Sequence, residues 1–95
     1  NSKNDFGFRD KIPRASVSIM FNIAKGFDSG SKMSFIHFLT YSFLSASEVQ
    51  SLLYVTLDFY YLDVNQHNAL MSQLNNSKKL IGDFIRYLKN SPNPN

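Results

Sequence analysis

Ninety-five residues leave room for one small domain and exclude two. There is no cysteine, so neither disulfides nor thiolate metal sites can supplement the core, and 43% hydrophobic residues with nine Phe and five Tyr exclude a disordered chain. The net charge of +3 is mild but uneven: residues 1–32 carry six cations against three acids, residues 33–77 have three acids and no Lys or Arg, and residues 78–95 have four cations against one acid.

Apolar residues recur every three or four positions nearly throughout, with no sustained two-residue alternation, which predicts an all-α class. The first helix is expected over about residues 5–25, with Ile12, Ala15, Ile19, Ile23 and Phe27 in one stripe and Met20 and Ala24 widening it. Pro13 lacks an amide hydrogen and crowds the preceding turn, predicting a kink there or a fresh start. Gly26 is placed to end the helix as a left-handed cap, and Asp28-Ser29-Gly30-Ser31 supplies turn chemistry, with Ser31 capping the next helix.

The second helix is expected over about residues 32–62, roughly 45 Å long. It carries one stripe through Ile36, Leu39, Phe43, Ala46, Leu53, Leu57 and Tyr60 and another through Phe35, Phe38, Val49, Leu52 and Phe59. Two apolar faces on one helix predict cover on more than one side, by other helices of the chain or by another subunit, and the second stripe is the expected oligomer interface. The run from Met33 to Leu57 is long enough to cross a bilayer, but it holds His37, Glu48, Gln50 and several serines without basic flanks, so no membrane span and no signal peptide is expected. A cytoplasmic domain fits better.

Asp63 and Gln66 have capping-box spacing. A last helix to about Lys89 comes next, with His67, Met71, Leu74, Lys78, Ile81, Ile85 and Leu88 at alternating steps of four and three, packed antiparallel to its predecessor. Residues 1–89 form the expected single domain. The Pro- and Asn-rich residues 90–95 form a flexible tail.

No catalytic set emerges. The two histidines, His37 and His67, lack the partners that a nucleophile, a base pair or a metal site requires, so they read as ordinary surface or core residues. No catalytic residue, metal, cofactor or small-molecule substrate is expected. The segment Gly26–Lys32 has neither the preceding strand nor the Gly-Lys-Ser/Thr order of a phosphate loop and reads as a helix-hairpin turn. Lys11, Arg14, Ser18, Asn22 and Lys25 fall on one helical face, and Lys79, Asp83 and Arg86, flanked by Lys78 and Lys89, form a second stripe able to join it in one basic surface if the fold brings the two helices together. Cations without interleaved exposed aromatics suit contact with RNA or DNA phosphates through Lys11, Arg14, Lys25, Lys79 and Arg86, the alternative being an ordinary solvated face.

Arg14-Ala-Ser-Val-Ser-Ile19, Asn22-Ile-Ala-Lys-Gly26 and Ser31-Lys-Met-Ser-Phe-Ile-His-Phe-Leu39 resemble the 23S rRNA intervening sequence protein family, also called the S23 or four helix bundle protein family. Phe59-Tyr-Tyr-Leu62 and Leu80 through Leu88 resemble its later turn and closing helix. The chain departs from the pattern at Pro13, Lys25, Ser34 and Leu44, where Arg, Glu, Glu and Gly are usual. The family's leading helix is absent, which implies a fragment or a chain with its first helix missing. The resemblance implies a bacterial, antiparallel, up-and-down four-helix bundle of which three helices stand in this chain. It further implies a non-catalytic homo-oligomer, typically a homopentamer, with nucleic-acid binding in a relative. The alternative is a purely structural or protein-interaction bundle.

Overall fold

The computed structural model describes the backbone of residues 2–58 and 62–92 and the side chains of residues 11–55 and 62–92. Among the described residues the fold is all-α, with three helices of equal length: α1 (Ser2–Asp28), α2 (Lys32–Asp58) and α3 (Val64–Asn90). At 1.5 Å per residue each is about 40 Å long. The predicted helix of residues 32–62 is described as far as Asp58; residues 59–61 lie outside the described residues, and Leu62 stands outside any helix.

Local chemistry sets most boundaries. Ser31 accepts the Ser34 amide at 3.1 Å through its hydroxyl and starts α2. At α3 the capping box is complete, the Gln66 amide donating to Asp63 at 2.7 Å and the Asp63 amide donating to the Gln66 side chain at 3.1 Å. For α1 the restart at Pro13 and the cap at Gly26 are both excluded. The helix runs unbroken through Pro13 rather than restarting there, the lost hydrogen bond being offset by the packing of Ile12, Ala15 and Ile19 in the core. Gly26 does not end it either; α1 continues to Asp28, and the left-handed residue is Gly30, at φ 82°. Gly26 is buried, so its lack of a side chain serves close packing instead of a turn.

α2 is the middle of a flat layer, packed antiparallel on α1 along one flank and on α3 along the other, while among the described residues the backbones of α1 and α3 do not approach one another. The Cα atoms extend 51 × 25 × 13 Å, and the shortest dimension is near the thickness of a single helix. Small residues bring α1 and α2 together. Ala15 and Ala46 are buried, the fully buried Ser42 donates to the Ile19 carbonyl at 2.8 Å, and Ser18 and Ser45 share a hydrogen bond at 3.1 Å. Larger groups join α2 to α3: Phe35 meets Phe84, Lys78 donates to Gln50 at 2.9 Å, and Lys32 donates to the Ser91 carbonyl at 2.8 Å. That last bond ties the beginning of the predicted tail to α2. The core centres on Ala15, Val49 and Leu53, with Ile12, Ile19, Met71 and Leu74 against it. No helix among the described residues is long and apolar enough to cross a membrane.

Candidate nucleic-acid interface

The helical phase of α1 and α3 sorts their side chains onto the two sides of the layer, at about 100° per residue. On one side Ile12 and Ser16 of α1 face Leu70, Leu74 and Ser77 of α3 across a groove of about 240 Å³ floored by Val49 and Leu53. Over residues 11–28 of α1 and over all of α3, no charged residue shares the phase of these groove positions. Lys11, Arg14 and Lys25 point to the opposite side of α1, and Lys79 and Arg86 to the opposite side of α3. The five cations singled out from the sequence thus share one face of the layer.

The two basic rows do not adjoin. With α1 and α3 at opposite edges, the two basic rows are separated by the exposed row of α2, which includes His37, Tyr41 and the acidic Glu48. The α3 row is also partly neutralised. Asp83 accepts from Lys79 at 3.1 Å and from Arg86 at 3.0 Å, all three side chains being well exposed. The Lys79 hydrogen bond foremost, with that of Arg86 and attraction to both cations, holds the Asp83 carboxyl below its usual range.

Lys25 has a different environment, which the charge pattern alone did not indicate. Its ammonium lies 4.8 Å from the centre of the Phe21 ring and 5.8 Å from that of Phe38. Phe38 stands edge-on to Tyr41 at 6.5 Å, and His37 to Tyr41 at 4.5 Å. Aromatics are therefore interleaved with a cation here, contrary to the reading of an aromatic-free basic face. Phe21 and Phe38 were recognisable as aromatics, but only the packing of α1 on α2 brings the Lys25 ammonium near both rings.

The predicted oligomer stripe divides. Val49 is buried within the chain, Phe35 is held between Phe27 and Phe84, Phe38 lies under Lys25, and Leu52 is half-buried; Phe59 lies outside the described residues. His37 is exposed. His67 occupies a core position against Tyr54 with its Nε2 buried and unpartnered. Among the described residues no group of His, Cys, Asp or Glu is arranged to hold a metal ion.

A family model described as 23S rRNA-intervening sequence protein matches residues 1–83. No curated protein and no solved structure matches the chain.

Proposed function

Because the chain belongs to the 23S rRNA-intervening sequence protein family, we propose that it is a non-catalytic, homo-oligomeric helical bundle of the bacterial cytoplasm that contacts RNA or DNA through phosphate groups. The observation that carries this reading is the division of the layer into two unlike faces. Lys11, Arg14, Lys25, Lys79 and Arg86 share one side, whereas over residues 11–28 of α1 and over α3 the groove side carries no charged residue. A face that gathers cations draws a polyanion by counterion release, and a charge-free apolar face suits another helix.

The groove supports the finer fold. A fourth amphipathic helix laid between α1 and α3 covers Val49, Leu53 and Leu74 and turns the layer into an antiparallel four-helix bundle. Assembly into a ring, a pentamer in this reading, uses apolar surface outside that groove. Of the predicted contact residues, Leu52 is the half-buried one without a ring or cation packed over it among the described contacts. Filter binding of a single RNA across a salt series tests the function: affinity falls steeply with salt if phosphates are contacted, and retention of no RNA at low salt overturns the reading.

A second reading, a structural or protein-interaction bundle whose charges keep it dissolved, is favoured by one observation. Asp83 already pairs with both Lys79 and Arg86. Charge reversal at Lys11 and Lys25 that leaves RNA retention unaltered supports this second reading.

A further inference from the structure

We propose that the polynucleotide taken by the basic face is single-stranded, its bases stacking on the aromatic edge formed by Phe21, Phe38 and Tyr41 while Lys25 receives a phosphate between them. The inference rests on the nucleic-acid reading above and specifies its ligand. Four observations converge on it. The Lys25 ammonium is 4.8 Å from the Phe21 ring centre and 5.8 Å from that of Phe38. Tyr41 continues the same edge, 6.5 Å from Phe38, with His37 edge-on to it at 4.5 Å. Phe21 is 57% exposed and Tyr41 44%, so both rings offer surface to a ligand. Ser18 and Asn22, both uncharged, line the α1–α2 seam beside this edge, Ser18 bonded to Ser45 and Asn22 to Ser18, so no carboxylate of theirs repels a phosphate there.

A duplex hides the faces of its bases, so an aromatic edge adds nothing to duplex binding; a single strand presents a π-face with every base. The placing of a cation beside the exposed rings of Phe21 and Tyr41 matches the two needs of a single strand, a charge for the backbone and a platform for the base. A second copy of the chain is the competing occupant. Covering this edge with protein would strip water from the Lys25 ammonium, which has aromatic rings but no carboxylate among its described contacts. Leu52, half-buried and without a cation packed over it among the described contacts, is the better contact for a second copy.

Fluorescence anisotropy with a labelled 20-nucleotide RNA of mixed sequence, single-stranded or annealed to its complement, tests the assignment. The single strand is expected to bind about tenfold more tightly than the duplex. Tyr41→Leu, which keeps the apolar bulk and removes the ring, is expected to cost about tenfold on the single strand alone, and Tyr41→Phe to restore it. Lys25→Gln should make the logarithmic salt slope shallower by about 0.7. Equal binding of both RNAs with Tyr41→Leu silent overturns the single-strand assignment while leaving phosphate contact standing. Binding of neither RNA at low salt overturns phosphate contact as well. A change of sedimentation coefficient in Tyr41→Leu, with RNA affinity intact, assigns the edge to self-association and overturns the inference.

Discussion

A Cβ added at Gly26 of α1 would stand 2.7 Å from Cδ1 of Phe35 on α2. The ring has little room to yield, because Phe27 lies 4.9 Å from it and Phe84 of α3 lies 5.2 Å from it, centre to centre. Gly26→Ala gains up to about 1 kcal/mol of helix propensity but overpacks this cluster by about 1–3 kcal/mol. The expected outcome is a net loss of about 1 kcal/mol, read as a lower urea midpoint. Gly30→Ala meets open space and is penalised by its φ of 82° alone, again about 1 kcal/mol. Combining Gly26→Ala with Phe35→Leu should recover part of the first loss and none of the second.

Removing the carboxylate that starts α3 gives a second measurement. Asp63→Ala leaves the Gln66 amide without its 2.7 Å acceptor and is expected to cost about 1 kcal/mol. Hydrogen exchange should report the change first in the opening turn of α3, and protection there equal to that of the parent would contradict the cap's role.

The contrast between these two sites explains which parts of the fold the sequence reveals. Asp63 and Gln66, like Ser31 and Ser34, act within one turn, so their spacing is enough to place them. Gly26 looks like a helix terminator for the same local reason, yet its constraint comes from Phe35 on another helix. Pro13 is misleading in the same way, since packing elsewhere on α1 offsets a local penalty. The cations at Lys11, Arg14, Lys25, Lys79 and Arg86 can be grouped by helical face, but whether the two rows adjoin depends on α2 keeping α1 and α3 apart. Val49 repeats at the spacing of the outer stripe and is nevertheless buried, because α2 turns that position toward α1 and the groove floor.

Asp83 restrains two cations at once. Asp83→Asn should free Lys79 and Arg86 for phosphate, raising RNA affinity at low salt and steepening the salt slope by about one to two counterions. A slope equal to the parent's would show that α3 does not reach the polyanion.

The same carboxylate has an acid signature. Its folded pKa lies below the ordinary 3.8, so its stabilising contribution is complete above that value and disappears as pH falls through the lower folded one. The gap in urea midpoint between the parent and Asp83→Asn should therefore be level from neutral pH down to about pH 5 and close in stronger acid. A gap that widens on acidification would contradict the pairing.

Leu52→Asp tests assembly. A carboxylate at a half-buried position tolerates exposure in a monomer but not burial between subunits, where it costs several kcal/mol. Sedimentation velocity should show a smaller species than the parent with helical content preserved; an unchanged species places the subunit contact elsewhere.

Among the described residues the backbones of α1 and α3 each approach α2 and not one another, so helix packing joins elements that are neighbours along the chain. Loop closure during folding is thus confined to two short connections, a low-contact-order topology that favours rapid folding. The same wiring makes α2 the shared wall of two hairpins: whichever closes first presents the other with a prepared template, so damage to Leu53 or Ala46 at the wall should slow both halves of the chain together.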